Sequence, residues 1–385
     1  MWKRFAQRLR CPICKDAVEL SVFNQRRPSI AEDHLALAKN RRLLDDDFAC
    51  YVEAGVLACH TCAVWFPIFR GLPVLLPYAT ALGAEFDREY AAEFSKISYR
   101  YGFPAHEPVP GERYVLHSFS TEWLEYDFDG VIWEMDYENH ERRFLSELGK
   151  YRPASQDCIF LEMGCGIGIT TDLAQKNFGV DAVGVDLSLA ALSATVRYRA
   201  NPFLHFVQGS VFYLPFAEES FGTIYSRGVL HHTHSTHEAF RSLVRYCRPG
   251  GATYLWVYGP RSIDDNVFRR VVFGAERTLR PILSRRSSGP LSKVILASLA
   301  LGYMSFNHAR RRADASIQPY NFRRALHAAR DRFTPEYAHR HDRHEVEAWF
   351  HEAGFRDVEV VDWRTMPSAD HDDYRRNTGV RGYKT

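Results

Sequence analysis

The feature that most limits what this chain can fold into is a glycine-rich turn, Glu162-Met163-Gly164-Cys165-Gly166-Ile167-Gly168. It follows a short apolar run, Ile159-Phe160-Leu161, and opens a helix-compatible stretch over residues 170–177. A strand that turns this way into a helix brings its backbone close to a ligand at the rim of a sheet, an approach that glycine permits. The dinucleotide fingerprint G-x-G-x-x-G/A fails in both registers, because position 169 is Ile and position 171 is Thr. A phosphate loop would need Gly-Lys-Ser/Thr, and the turn has no lysine. Phosphate is therefore not the expected ligand. Glu162, two residues before the first glycine, suits a ligand that carries positive charge.

Short strands and helices alternate after the turn. Strands are expected at 182–185, 205–207, 223–226 and 253–258, with helices at 190–199 and 237–246. The pattern resumes with a helix at 343–353 and a strand at 358–363. Such alternation predicts an α/β fold, a doubly wound, Rossmann-like sheet with helices on both faces. Three parts are expected: residues 1–78, a helical linker or cap over 79–155, and the α/β domain over 156–385. With 385 residues, 46% hydrophobic and 25% charged, the chain can bury such a core, and wholly disordered or fibrous readings are excluded.

Asp186 closes the second strand, eighteen residues past Gly168, near the spacing at which an acid meets a ribose diol. A cationic tail plus a ribose describes S-adenosylmethionine. At these residues the chain resembles the class I S-adenosylmethionine-dependent methyltransferases, strongly over 157–260 and more weakly over 343–363. Glu162, Gly164, Gly166 and Gly168 match the family's first motif, and Asp186 matches its ribose-holding acid. Leu214-Pro215-Phe216, Ser220-Phe221 and the stretch from Ser226 to His232 match later motifs. The resemblance implies a cofactor site made of Glu162, Gly164, Cys165, Gly166, Gly168, Asp186, Leu187, Ser210, Val211 and Ser226. It departs from the family at Ser210, which stands where an acid often contacts the adenine amino group. Upstream, Ser118-Phe119 and Trp123 resemble a stretch that caps the cofactor in a subfamily.

Methyl transfer is an in-line displacement with a good leaving group, so alignment and desolvation carry most of it. A base is needed only if the nucleophile must lose a proton. His231 and His232, beyond the fourth strand, are the candidates. The alternatives are that His231 packs beside the cofactor and that His234 is a solvated loop residue. Tyr258 either lines the pocket or packs as a strand residue.

Four of the eight cysteines form two pairs, Cys11-x2-Cys14 and Cys59-x2-Cys62. Two such turns make a closed four-sulfur zinc site, structural rather than catalytic. The segment Cys59-His60-Thr61-Cys62 through Pro67-Ile68 and Gly71-Leu72-Pro73-Val74-Leu75-Leu76-Pro77 resembles the Trm112-like zinc-ribbon domain. The forty-four residues between the pairs are expected to hold inserted helices, and Cys50 could replace one ligand. A site that has lost its metal and redox-active CxxC pairs are the other readings. Cys158, Cys165 and Cys247 are expected to be packed thiols.

The formal charge of +2 conceals a basic helical insertion at about 261–332, with fifteen Lys/Arg against five Asp/Glu. Arginines come in runs at 269–270, 285–286, 310–312 and 323–324, and 291–306 is an apolar helix candidate. The insertion is expected to be a lid or docking face for an anionic carrier or acceptor, to touch a membrane surface peripherally, or to be a solvated cap. No run is long and apolar enough to span a membrane, and no secretory signal core is visible, which predicts a cytoplasmic protein. The leading expectation is methylation of a small-molecule, lipid- or glycan-linked acceptor. A ribosomal or transfer RNA methyltransferase, and a non-catalytic cofactor-binding partner, are the competing readings.

Overall fold

The structure is a computed structural model; it describes residues 1–385 except 96–99, 125–130, 133–134, 261–266, 287–288 and 314–318. The side chains of Arg269, Arg270 and Arg286, part of the expected arginine runs, also lie outside what is described.

The chain opens with an antiparallel sheet in the order β1 (Glu19–Arg26), β2 (Tyr51–Cys59), β3 (Val64–Phe69), β4 (Leu72–Pro73), with helix α1 (Glu32–Asn40) between β1 and β2. The stretch between the cysteine pairs thus holds one helix and two strands, where the sequence suggests helices alone. The reason is β2: it is buried along nearly its whole length, so its apolar run lacks the alternation of a half-exposed strand. The β3–β4 hairpin turns at Arg70 and Gly71, both at positive φ (52° and 82°), which suits a tight two-residue turn.

Helices α2 (Ala81–Glu89), α3 (Ala91–Phe94), α4 (Glu112–Leu124) and α5 (Tyr137–Leu148) follow, with a small hairpin of β5 (Val131–Ile132) and β6 (Met135–Asp136) before α5. The main domain then runs β7 (Ile159–Met163), α6 (Ile169–Phe178), β8 (Asp181–Asp186), α7 (Ala190–Arg197), β9 (Leu204–Gln208), β10 (Phe221–Arg227), α8 (Thr236–Val244) and β11 (Cys247–Val257). Among the described residues three helices interrupt it: α9 (Val267–Arg286), α10 (Pro290–Ala313) and α11 (Phe322–Phe333). It closes with α12 (Arg343–Glu352), β12 (Phe355–Val360), α13 (His371–Arg376) and β13 (Thr378–Lys384).

The seven-stranded sheet has the order β12-β13-β11-β10-β7-β8-β9. Its pairs are parallel from β11 to β9, and β13 is antiparallel to both β11 and β12. This is the expected Rossmann-like, doubly wound sheet with one reversed strand, so the sheet is mixed rather than all-parallel. Alternate residues feed two cores. Leu161, Val183 and Ile224 pack under α8 and α12; Phe160, Ala182 and Tyr225 pack under α5, α6 and α7. The chain leaves β7 toward β8 and β9, then returns to place β10 on β7's other side. That reversal opens a crevice beyond the carboxyl ends of β7 and β10, where open α/β sheets bind ligands.

The N-terminal sheet is joined to this domain by hydrogen bonds at two places on one loop. Leu75 N–H donates to Gln208 O at 2.8 Å, at the end of edge strand β9. At the other end of that loop, Arg10 N–H donates to Pro215 O (2.8 Å) and Lys15 Nζ to Leu214 O (2.9 Å). Residues 208–215 are therefore held between the N-terminal module and the main sheet.

Candidate active site

The turn after β7 is shaped by what it must avoid. Gly164 has φ of 80°, and a Cβ there would lie 2.1 Å from Val229 Cγ2. Gly166 has φ of 51°, but a Cβ there would meet nothing nearer than the Trp123 ring at 3.5 Å, so it borders open space. That space is part of a cleft of about 2170 Å³ along the carboxyl edge of the sheet.

Glu162, Gly164, Cys165, Gly166, Asp186, Leu187, Ser210 and Val211 all line this cleft. Asp186 accepts from Gly166 N–H (2.8 Å), Ser188 N–H (2.8 Å) and Ser188 Oγ–H (2.7 Å). A carboxylate has about four acceptor positions, so the turn leaves room for a further hydroxyl. Burial raises the Asp186 carboxyl, against the pull of those donors. Glu162 is buried, and its Oε2 accepts from Thr171 Oγ1 at 2.5 Å. No cation pairs with it among the described residues, and burial pushes it up to about 8. It is a carboxyl that waits for a positive partner.

Two of the expected residues stand elsewhere. Ser226 is fully buried, and its hydroxyl donates to Met163 O at 3.3 Å, tying β10 to β7 instead of facing the cleft. Gly168 caps α6 at φ of 84°, tucked against Phe206, beneath the cleft and not on it. The Cys165 thiol packs inward toward Gly184, leaving its backbone on the cleft side.

His231 and His232 separate. His231 is fully buried with its ring 4.0 Å from that of Tyr258, and it does not line the cleft. His232 does line it. Its Nδ1 lies 2.7 Å from the Tyr337 carbonyl, which can only accept, so Nδ1 carries the proton. Nε2 keeps its lone pair and has no hydrogen-bond partner among the described residues. Burial, with Arg280, His339 and Arg340 adding positive charge, pushes the imidazole down to about 3. His232 is thus a neutral acceptor at physiological pH.

The sequence alone did not point to three further residues. Glu112, from α4, is buried and faces Ser210 and Tyr78, so a carboxyl stands beside the position where Ser210 replaces the family's acid. Asp331, from α11, lines the cleft and lies 3.4 Å from Tyr258 Oη; burial raises it to about 6, with Arg280 opposing. Arg340 reaches over Tyr258 and Phe273, its guanidinium 5.3 and 4.7 Å from their ring centres. All three are 50 to 175 residues from the glycine turn, and no spacing rule links them to it.

The upstream helix α4 closes one side. Ser120 Oγ accepts from Leu189 N–H (3.0 Å), beside the Asp186 turn, and Phe119 and Trp123 line the cleft. At the far N-terminal end, Cys11, Cys14, Cys59 and Cys62 bring their four Sγ atoms within 4.8 Å of one another. The pairs Cys11–Cys62 and Cys14–Cys59 are 3.9 and 3.5 Å apart. Zn–S bonds of about 2.3 Å in a tetrahedron require sulfur separations of roughly 3.8 Å, so the four thiols fit the metal. Cys50 is not part of the cluster.

With this geometry in view, residues 161–255 match the methyltransferase domain family. The chain carries an S-adenosylmethionine-dependent methyltransferase domain. Phosphoethanolamine N-methyltransferase 3 of Arabidopsis thaliana is 29% identical over 100 residues, 26% of this chain and 20% of that protein. Malonyl-[acyl-carrier protein] O-methyltransferase of Pseudescherichia vulneris is 32% identical over 121 residues, 31% of this chain and 45% of that one. Among solved structures, Haemonchus contortus phosphoethanolamine N-methyltransferase 2, bound to phosphomonomethylethanolamine and S-adenosylhomocysteine, is similar with a TM-score of 0.42 and 15% identity. That likeness covers 73% of this chain and 61% of the other. This chain thus spans between 20% and 61% of the length of these three proteins. Among the described residues, no helix is long and apolar enough to cross a membrane.

Proposed function

We propose that the chain methylates a small-molecule, lipid-linked or glycan-linked acceptor at the cleft beyond β7 and β10. The observation that carries this is the convergence of Glu162, Asp186 and His232 on one cleft at the reversal of strand order. Bound S-adenosylmethionine supplies a methyl group on a positively charged sulfur. Asp186 accepts from the ribose hydroxyls, and Glu162 offers its carboxylate to the cationic end. Glu112 and Ser210 face the base, and Trp123 covers the turn. His232 Nε2 accepts the hydrogen of the attacking group and so aligns it. On transfer the acceptor atom would gain the methyl carbon, the sulfur would keep the electron pair of the broken carbon–sulfur bond, and the one proton released would pass to Asp331 through Tyr258, whose hydroxyl lies 3.4 Å from it. The N-terminal module, residues 1–78, is a Trm112-like zinc ribbon whose metal fixes the loop at 208–215.

The arginines that turn inward favour an enclosed acceptor over RNA, while Arg277, Arg285, Arg310, Arg312 and Arg323 stay exposed. Arg280 and Arg332 of the insertion, and Arg340 beyond it, converge on Glu276 instead of forming an outward-facing array. Incubating the protein with methyl-labelled cofactor and cell extract tests the reading: label should pass to the solvent-extractable fraction. Label confined to RNA, or no turnover at all, would overturn it.

Two variants dissect the site. Asp186→Ala should weaken cofactor binding by about tenfold or more, because a charge-assisted hydrogen bond is worth about 1.5–3 kcal/mol; unchanged affinity by calorimetry would reject the ribose role. His232→Ala should lower kcat on the order of a hundredfold and leave cofactor affinity alone. Asp331→Asn should instead remove an acid limb near pH 6 from the pH–rate profile, and a profile that keeps that limb would clear Asp331 of proton handling.

A further inference from the structure

The cleft extends past the cofactor residues toward the other half of the sheet. Asp186 and Ser210 belong to the β8 and β9 side, whereas Trp256 stands near the end of β11, and α13 leads into β13, the strand paired with β11. Strand β10, with Arg227 and then Gly228 at its end, lies between the two halves. Arg143, Arg227, Gly228, Trp256 and Asp370 all line the cleft. A Cβ on Gly228 would meet only Trp256 Cζ3, at 3.9 Å, so there is open space beside that ring.

Asp370 is 3% exposed, yet its carboxyl has almost nothing to do within the fold. It immediately precedes α13, where an aspartate ordinarily caps the helix by accepting from a backbone N–H, but its side chain makes no such bond. Oδ1 lies 3.7 Å from Arg143 Nη1, too far for a hydrogen bond, and Oδ2 has no hydrogen-bond partner among the described residues. Two nearby acids show the contrast. Glu147 accepts from Tyr225 Oη (2.5 Å), Arg227 Nε (2.8 Å) and Tyr374 Oη. Asp373, three residues beyond Asp370, accepts from Arg227 Nη2 and from Asn377 Nδ2 (2.6 Å). Burial lifts the Asp370 carboxyl to about 6, with Arg143 and Arg227 opposing, so it is ionised at physiological pH. A buried carboxylate oxygen without a donor costs free energy, and one on a cleft wall is an acceptor waiting for a ligand. A donor waits there too: the Trp256 Nε1–H is buried without an acceptor among the described residues. The Arg227 guanidinium, 4.2 Å from the Trp256 ring centre, holds that ring in place.

These groups select a ligand by charge. The Asp370 carboxylate disfavours an anion, and Arg143 beside it, with Arg227, disfavours a cation. A neutral group that both donates and accepts satisfies both orphans, and adjacent hydroxyls do so: one donates to Asp370 Oδ2 while another accepts from Trp256 Nε1–H. We propose that this half of the cleft seats a neutral polyhydroxylated ring, and that the methyl acceptor is a hydroxyl of that ring. The proposal rests on the methyl-transfer reading of the adjoining cleft and deepens it. A hydroxyl nucleophile also fits the chemistry there. Its oxygen gains the methyl carbon, the electron pair of the broken bond stays on sulfur, and the hydroxyl proton leaves.

The test uses the full chain loaded with S-adenosylhomocysteine and a panel of rings: methyl pyranosides of hexoses, 6-deoxyhexoses and pentoses, and myo-inositol. Saturation-transfer NMR should detect at least one of them, and the identity of that one tells a sugar from a cyclitol. For a sugar, the uronate and the amino sugar of the same ring should bind about tenfold or more weakly, because each sets a charge beside a like charge. Asp370→Ala should weaken the neutral ring about tenfold or more, through loss of a charge-assisted hydrogen bond, while S-adenosylhomocysteine binds as before. Trp256→Phe removes only the Nε1–H and should cost the same ring about fivefold; it also serves if the Asp370 variant does not fold. No binding by any member of the panel, in a protein that binds S-adenosylhomocysteine, would sink the ring proposal alone. So would a charged analogue that binds as well as the neutral ring, or unchanged ring affinity in the folded variants. Failure to bind S-adenosylhomocysteine would count against the methyl-transfer reading, and the same titration without it would still judge the ring.

Discussion

Cys59→Ser is expected to reduce bound zinc from about one per chain to none, and to lower both thermal stability and cofactor affinity. Cys59 is buried at the end of β2, and its Sγ also accepts from Cys62 N–H at 3.4 Å. A hydroxyl in its place is a poor ligand for a metal that needs four thiolates. Without the metal, the turns at 11–14 and 59–62 lose what fixes them to each other. The effect does not stop there, because Arg10 and Lys15 flank the first pair and donate to Pro215 and Leu214. With Leu75 on Gln208, the N-terminal module gives three hydrogen bonds to the loop that carries Ser210 and Val211, beside those the main domain makes to it through Asp186, Ser242 and Tyr246. Each is worth about 1 kcal/mol net, so freeing two of them should weaken the cofactor by roughly tenfold to thirtyfold. The measurements are metal analysis, a melting curve and calorimetry with S-adenosylmethionine. Full zinc content would remove Cys59 from the ligand set. Zinc lost with cofactor affinity intact would show that the module and the loop are not coupled.

What the sequence revealed, and what it hid, follows from how local each signal is. The glycine turn, Asp186 and the two CxxC pairs are short local patterns, and the structure brings the first two to the cleft edge and the four thiols to one cluster. The strands flanking the turn were also readable, because each is a compact apolar run between polar breaks. β13 was not. Its sequence, Thr378-Gly379-Val380-Arg381-Gly382-Tyr383-Lys384, has two glycines and two charges and no apolar face. It becomes a strand because β11 and β12 offer it two edges at once. Arg381 shows the same logic at side-chain level: it reaches the carbonyls at the end of α5 and the Glu359 carboxylate, partners far away in sequence or on the neighbouring strand. The acids that complete the cleft were hidden for a related reason. Glu112 reads as an ordinary first-turn helix acid, and Asp331 as one charge within an arginine-rich helix. Only the docking of α4 and α11 over the sheet turns them inward.

Glu162 leads to the other large effect, a pH dependence of cofactor binding. Burial raises its carboxyl to about 8 in the free protein, whereas in an unfolded chain it would titrate near 4.3. The folded state therefore holds this proton more tightly than the unfolded one, and the site loses stability as pH climbs from the unfolded value toward 8. A cationic ligand reverses the balance. It favours the carboxylate, lowers the bound-state value and must release a proton wherever the free group is still protonated. Affinity should then rise from pH 6 to pH 8 by about twentyfold: a group at 8 whose bound-state value lies below 6 supplies a factor of about fifty, and the part-deprotonated α-amino group of the cofactor takes back more than half of it. Above pH 8 it should fall again, as the α-amino group of the cofactor loses its own proton near 7.7–8.0. Calorimetry in two buffers of different ionisation enthalpy reads the released proton directly, about one per cofactor at pH 6.5. Glu162→Gln removes the titrating group while keeping the Thr171 contact. It should abolish the rising limb, leave the falling one, and bind most weakly relative to wild type near pH 8, where the native carboxylate is most available. Thr171→Val offers the complementary probe: taking away the donor to Oε2 should push the carboxyl higher and move the rising limb to more alkaline pH. A rising limb that survives Glu162→Gln unchanged would place the cationic end of the cofactor on some other acid.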